Sequence, residues 1–181
     1  GALEFTDQLN DTLGTRFANA TAMDWIEISG QHFGVVAGSD GGVSLLQMLP
    51  NGTLVHLETF VDQTTTALSD ITDVRLAMVA GSLQMFAFGS AEPGITRLAI
   101  NLGSIGNTET SASGTTNGTA GRDLLVASSA GANLQGLAGD DVLVDGAGRD
   151  TLNGGNGADI FVFSPDGERD TVQGFNIAQD Q

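Results

Sequence analysis

Residues 118–162 read as five consecutive units of nine, GTAGRDLLV, ASSAGANLQ, GLAGDDVLV, DGAGRDTLN and GGNGADIFV, with no gap between them. A repeat at a fixed period predicts that each unit stacks on the next, so this stretch decides the architecture of the C-terminal third. Four of the five units carry glycine at position four and aspartate at position six, whereas the second unit keeps only its apolar residue at position eight. The sixth positions are Asp123, Ala132, Asp141, Asp150 and Asp159, and the eighth positions are Leu125, Leu134, Leu143, Leu152 and Phe161.

Each unit has the composition of a turn followed by a short strand. Six residues rich in glycine, for which positive φ costs little, precede three residues whose middle side chain is predicted to point inward. Two units would complete one coil of 18 residues, and units two apart would stack at a strand spacing of about 4.8 Å. This stacking brings Asp123, Asp141 and Asp159 into one column. Calcium takes six to eight oxygens at roughly 2.3–2.6 Å, from carboxylates and backbone carbonyls together, and would relieve the repulsion between these carboxylates.

The pattern G-G-x-G-x-D-x-U-x, with U apolar, resembles the calcium-binding repeat of the RTX, or hemolysin-type, family of secreted bacterial proteins. The closing stretch IFVFSPDGERDTVQGF, residues 160–175, resembles the end-cap of that family. The resemblance implies that each calcium ion lies between two stacked turns, held by their sixth-position aspartates and by carbonyls near the glycines. The glycines expected to shape these turns are Gly118, Gly121, Gly136, Gly139, Gly148, Gly154 and Gly157.

Three calcium sites follow from this expectation. The first uses Asp123 and Asp141, and the second uses Asp141 and Asp159. On the opposite edge, Asp150 is expected to pair forward with Asp170 of the closing stretch, where two extra residues shift the register. Ala132 offers no carboxylate, so a full site backward from Asp150 is not expected. With so few apolar side chains in its core, the segment is expected to fold only when calcium binds.

The N-terminal part repeats at about 51 residues. The stretch DWIEISGQHFGVVAGS, residues 24–39, aligns with DVRLAMVAGSLQMFAFGS, residues 73–90, and glycines and a serine coincide. Short alternating apolar runs separated by turn signals predict an antiparallel meander of three or four strands in each copy. Asn51-Gly52 predicts a two-residue type I′ hairpin, and Asp40-Gly41-Gly42 and Glu92-Pro93-Gly94 predict equivalent turns.

The two copies resemble blades of a β-propeller, which has four to eight blades. Two blades cannot close such a ring. Either more blades precede Gly1, or the two copies pack as an open sandwich or across a homodimer through the meander. We expect the chain to be part of a longer protein.

The predicted fold is therefore all-β and has three parts. Residues 1–102 form the antiparallel β-meander with its two propeller-blade-like repeats, residues 103–117 form a flexible linker rich in Gly, Ser and Thr, and residues 118–181 form a parallel β-roll with a partial end-cap.

Charge and composition narrow the function. The chain has 22 acidic and 6 basic residues and a net charge of −16, which argues against nucleic-acid partners and favours divalent cations. It contains no cysteine, and no run of about 18 apolar residues predicts a membrane span. His32 and His56 are the only histidines and fall in predicted strands. A lysine-dependent P-loop, a G-x-S-x-G elbow and an H-E-x-x-H motif are all absent from the sequence, so no enzymatic activity is expected.

Three functions remain open. The first is a non-catalytic, Ca²⁺-binding segment of a secreted, extracellular RTX-type protein, which leaves the cell through type I secretion machinery and folds in external calcium. The second is the secretion appendage of a propeller-type enzyme that resembles lactonases. The third is a calcium-dependent extracellular adhesion or binding protein.

Overall fold

The computed structural model describes residues 7–12, 14–63, 68–90, 94–128, 131–165 and 168–181. The chain divides into two compact units, residues 1–101 and residues 102–181. All regular elements in the described residues are strands, as the sequence predicts. No helix in these residues is long and apolar enough to cross a membrane.

Unit 1 contains two antiparallel sheets. The first has four strands in the order β1-β2-β3-β4, and the second has three in the order β5-β6-β7. Their bounds are β1 Ala22–Ile28, β2 Gln31–Ala37, β3 Gly42–Met48, β4 Leu54–Val61, β5 Ile71–Val79, β6 Ser82–Gly89 and β7 Ile95–Ile100. The predicted meander, with three or four strands in each copy, is confirmed.

The sequence repeat of about 51 residues is also seen in the backbone conformation of two turns. Ser29 and Gly30, which join β1 to β2, have φ of 52° and 79°, and Ala80 and Gly81, which join β5 to β6, have φ of 51° and 79°. Positive φ at both central residues is the requirement of a type I′ turn. Two hairpins of one geometry therefore lie 51 positions apart in unit 1.

The turn between β3 and β4 differs from its prediction. Gly52 has φ 87°, but Asn51 is not among the described residues with positive φ, so the predicted type I′ turn is wrong. Instead, the N–H of Gly52 donates to the carbonyl of Leu49 at 2.9 Å, which makes Pro50 and Asn51 the two central residues. The proline ring fixes φ near −65°, as the first central residue of a type I turn requires, and this shifts the turn by one residue.

Two other predicted turns have different outcomes. Gly41 lies between β2 and β3 and Gly42 begins β3, with φ of 71° and 158°, so the predicted turn at Asp40-Gly41-Gly42 is confirmed. Glu92 and Pro93 of the turn predicted at Glu92-Pro93-Gly94 lie outside the described residues.

Unit 2 is a roll of two parallel sheets. One has the order β14-β12-β10-β8 and the other β15-β13-β11-β9. The strands are β8 Ile105–Ser111, β9 Gly114–Asn117, β10 Arg122–Ala127, β11 Ala132–Ala138, β12 Val142–Val144, β13 Thr151–Asn156, β14 Ile160–Val162 and β15 Thr171–Gln173. Leu125 pairs with Leu143, which pairs with Phe161, so the predicted 18-residue coil is confirmed.

Residues 103–117 do not form the linker that their composition predicts. They contain β8, which pairs with β10, and β9, which pairs with β11, so they build the first coil of the roll. Parallel pairing uses backbone N–H and C=O groups and does not require apolar side chains. Most side chains of β8 and β9 are exposed, which explains why a polar sequence is tolerated there.

The core of the roll is thin and follows the eighth position of the repeat. Its buried residues are Leu125, Ala127, Ala132, Leu134, Leu143, Leu152 and Phe161, with Val172 packed against them. All five predicted inward-pointing residues are among them, so this prediction is confirmed.

Candidate metal centre

The predicted column of aspartates is present on one edge of the roll. The backbone N–H of Asp123 donates to Oδ1 of Asp141 at 2.8 Å, and the N–H of Asp141 donates to Oδ1 of Asp159 at 3.0 Å. The N–H of Asp159 donates in turn to Oδ1 of Asp180 at 3.1 Å. These four residues are the aspartate column, and its first three members are at most 1% exposed.

The members of the column differ in whether their second carboxylate oxygen, Oδ2, has a hydrogen-bond partner. Oδ2 of Asp141 and Oδ2 of Asp159 are buried and accept no hydrogen bond. A buried carboxylate oxygen without a partner costs several kcal/mol in general, so these two positions call for a cation or a proton.

Electrostatics at these two positions agree with that requirement. Burial raises the pKa of Asp141 to about 7, and repulsion from the neighbouring carboxylates of Asp123 and Asp159 adds to the effect. Burial also raises the pKa of Asp159, with repulsion from Asp180 and Asp140. A bound divalent cation would reverse this shift, because it stabilises the ionised form of both carboxyl groups.

Glycine at the first position of the repeat lets each free oxygen pack against the backbone. A Cβ on Gly136 would overlap Oδ2 of Asp141 and would lie 2.5 Å from the carbonyl oxygen of Gly154, one coil further on. A Cβ on Gly154 would overlap Oδ2 of Asp159. Oδ2 of Asp141 and the carbonyl oxygen of Gly154 therefore lie close together beside Gly136, and carboxylate and carbonyl oxygens are the donors that calcium prefers.

Glycine at the fourth position allows the turns to stack. A Cβ on Gly139 would lie 2.5 Å from the carbonyl oxygen of Gly121, and a Cβ on Gly157 would overlap the carbonyl oxygen of Gly139. Gly139 and Gly157 also have φ of 115° and 143°, a region that side chains rarely adopt. Gly148 has φ 116° on the other edge. A side chain at Gly139 or Gly157 would separate the coils.

Within the described residues, three turns of the roll are closed by one recurring hydrogen bond. In a closed turn, the N–H of the residue four before the aspartate donates to its Oδ2, which therefore has a partner. These bonds are Thr119 to Asp123 at 2.7 Å, Gly146 to Asp150 at 2.8 Å and Asn176 to Asp180 at 2.7 Å.

Two turns are open, and they are the turns of Asp141 and Asp159. Leu137 and Gly155, at the equivalent position four residues before these aspartates, have φ of 78° and 102°. None of the residues at this position in the closed turns is among the described residues with positive φ. The changed backbone conformation accompanies the loss of the N–H bond and leaves Oδ2 without a partner.

The second edge pairs Asp150 with Asp170 across 20 residues. The N–H of Asp150 donates to Oδ1 of Asp170 at 2.9 Å, and Ala132 donates its N–H to Oδ1 of Asp150. The structure thus brings Asp150 and Asp170 together in the shifted register. On this edge Asp150 already has hydrogen bonds to both of its oxygens.

Two further aspartates were missed by the sequence reasoning. Asp180 extends the column, but it follows Asp159 by 21 residues and therefore falls outside the period of nine. Asp145 occupies the first position of its unit, where the pattern has glycine. It is 3% exposed, and its Oδ1 accepts the N–H of Ser164 at 2.7 Å. The period of nine gave no signal for either residue.

Side chains alone do not complete a metal shell. Within the described residues, no three His, Cys, Asp or Glu side chains converge as they would around a zinc ion. The remaining ligands would have to be backbone carbonyls, as the glycine turns provide. Such an all-oxygen donor set suits calcium and not a softer metal.

The comparisons with known proteins agree with this geometry. Residues 131–163 match the family model of the RTX calcium-binding nonapeptide repeat (4 copies). Neither the curated proteins nor the solved structures contain a match to the chain. The matched stretch includes both open turns and begins after the Thr119 turn. Residues 131–163 therefore consist of RTX nonapeptide repeats, whose family binds calcium.

Proposed function

We propose that calcium binds in the open turns of Asp141 and Asp159 and that this binding folds the roll. The observation that carries the proposal is the pair of buried Oδ2 atoms without hydrogen-bond partners, each packed against the first glycine of its own turn. Among the three expected sites, the proposal keeps the one at Asp141 with Asp159, whereas Oδ2 of Asp123 and Oδ2 of Asp150 already accept hydrogen bonds in closed turns. The function proposed is binding, with no catalytic step.

Folding on calcium fits a secreted protein. The proposed order of events is export of the unfolded chain by type I secretion machinery, followed by folding in extracellular calcium. Two features support this order of events. The RTX match is typical of secreted proteins, and the thin core leaves buried carboxylates whose charge a bound cation would neutralise.

Calorimetric titration of the full chain with calcium tests the proposal. Wild type is expected to bind at least two ions, and Asp141→Asn is expected to weaken binding at least about tenfold, because a hydrogen bond or contact to a charged oxygen is worth roughly 1.5–3 kcal/mol. The matched control is Glu27→Gln, which removes one exposed negative charge in β1 and should leave the titration unchanged. If wild type takes up no calcium at millimolar concentrations, the proposal is wrong.

A pH dependence of calcium binding follows from the pKa of Asp141. This pKa is raised from 3.8 to about 7, so the metal-free folded roll holds a proton that the unfolded chain releases. The contribution of Asp141 to metal-free stability is therefore expected to be fully present below about pH 4 and to be lost as the pH rises through about 7. Calcium competes with this proton, so its affinity should be about tenfold weaker or more at pH 5.5 than at pH 7.5. Calorimetry at both pH values measures the difference, and equal affinities would contradict it.

A second candidate function concerns unit 1. Its two sheets repeat at 51 residues with matching type I′ turns, which favours blades of a propeller-type enzyme or of an adhesion protein. In that case the roll would be the secretion appendage of the larger protein. A homodimer through the meander is the other arrangement that would add blades, and sedimentation equilibrium distinguishes it from a monomer.

A further inference from the structure

The hydroxyl group of Thr119 stabilises the turn of Asp123. Thr119 donates its N–H to Oδ2 of Asp123 at 2.7 Å, and its Oγ1 lies 3.1 Å and 3.2 Å from the two carboxylate oxygens. The N–H of Gly121 donates to the same Oγ1 at 3.1 Å. The hydroxyl proton of Thr119 is therefore directed to the carboxylate. Asn107 donates a further N–H to Oδ1, so both oxygens of Asp123 are satisfied without a metal.

Apart from these hydrogen bonds, the Asp123 turn has the parts of an open turn. A Cβ on Gly118 would lie 2.5 Å from Oδ2 of Asp123 and 2.7 Å from the carbonyl oxygen of Gly136. This is the arrangement found one coil further on, around Gly136 and Asp141. The carboxylate and the carbonyl of the next turn lie close together here as well, but both oxygens of Asp123 already accept hydrogen bonds.

The residue at the second position of the Asp123 turn differs from those of the open turns. Glycine at this position does not by itself open a turn, because Gly146 closes its turn through its N–H. In the open turns the residue at the second position is Leu137 or Gly155, with positive φ and no hydroxyl group. A β-branched residue such as threonine is strongly disfavoured at positive φ, so Thr119 keeps the backbone in the conformation that points its N–H at the carboxylate. The side chain and the backbone of Thr119 thus favour the same closed turn.

We propose that Thr119 closes the Asp123 turn to calcium, so that the first coil of the roll is held by hydrogen bonds and calcium enters only from the Asp141 turn onward. This inference rests on the proposed calcium binding of the open turns. It replaces the calcium site expected at Asp123 and Asp141 with a metal-independent anchor.

Thr119→Gly tests the inference, because it completes the pattern G-G-x-G-x-D and removes both the hydroxyl and the barrier to positive φ. Calorimetric titration of the full chain is expected to give one more calcium ion than wild type. The double variant Thr119→Gly with Asp123→Asn should lose that additional ion. Thr108→Gly, an exposed position in β8, is the matched control and should keep the wild-type number.

The reciprocal change keeps the test decisive if Thr119→Gly does not fold. Leu137 is 50% exposed, so Leu137→Thr removes little buried surface while it introduces the threonine of the closed turn. It is expected to bind one ion fewer than wild type. If wild type binds calcium and both variants bind the same number of ions as wild type, the role of Thr119 alone is overturned. Absence of calcium binding in wild type would instead overturn the proposed function.

Discussion

In EDTA at pH 7.5, residues 131–165 are expected to lose their protection against hydrogen exchange while unit 1 keeps it. Without calcium, the ionised carboxylates of Asp141 and Asp159 remain buried without partners, next to other members of the aspartate column. The core that opposes this cost consists of a single line of apolar side chains on each sheet. Folding and metal binding would therefore be one equilibrium in this segment.

The size of the effect depends on the calcium concentration. An ion that binds only the folded state stabilises it by about 2.7 kcal/mol when its concentration is one hundred times its Kd, so two ions supply about twice that amount. This is comparable to the whole stability of many small domains. Peptide-resolved exchange in calcium and in EDTA measures the change, and unit 1 is the internal control. Equal protection of residues 131–165 in both buffers would show that the roll does not need metal.

Leu143→Ala is expected to prevent folding of the roll at calcium concentrations that fold the wild type. Leu143 is fully buried in β12, where it pairs with Leu125 on one side and Phe161 on the other. Truncation of a buried leucine to alanine costs about 2–5 kcal/mol, because it removes apolar contacts and leaves a cavity. In so thin a core, no other layer of side chains can compensate.

Circular dichroism during a calcium titration measures this effect, with the midpoint of folding as the readout. A loss of about 2 kcal/mol or more lowers the folding equilibrium constant about 30-fold, so the midpoint should move to much higher calcium or vanish. Ile177→Ala is the control, because Ile177 is 91% exposed and its truncation should leave the midpoint in place. A midpoint unchanged by Leu143→Ala would show that the core does not limit folding.

The period of nine predicted the core and the aspartate column because both depend on spacing alone. Because two units fill one coil, the side chain at the eighth position points to the inside of the roll in every coil, as those of Leu125, Leu143 and Phe161 do. The residue at the sixth position likewise returns to the same edge in every coil. The same reasoning located the neighbour of Asp150 at Asp170 despite the two extra residues.

The first coil could not be predicted in this way. Residues 105–117 carry few apolar side chains, and their strands are defined by backbone pairing with β10 and β11. Composition describes side chains and not backbone pairing, so these residues have the composition of a linker although they form strands. The same limit applies to the turn at Asn51-Gly52, where the preceding Pro50 and not the Asn-Gly pair determined the backbone.

The sequence also did not predict which turns are open and which are closed, because the nine-residue pattern does not specify the orientation of each peptide plane. Asp123 and Asp141 occupy the same repeat position, yet only Oδ2 of Asp141 lacks a hydrogen-bond partner. The second position gave no signal either, because a non-glycine residue lies there in both a closed turn, at Thr119, and an open turn, at Leu137.

The alternation of units between two edges also limits how this roll can change in length during evolution. Partners in the aspartate column lie 18 residues apart, as the bond from Asp123 to Asp141 shows. A duplication of nine residues after Val144 would carry Asp159 to the opposite edge and away from Asp141. A duplication of 18 residues would lengthen both edges and leave every existing partner in place. Lineages of such rolls should therefore differ by whole coils more often than by single units.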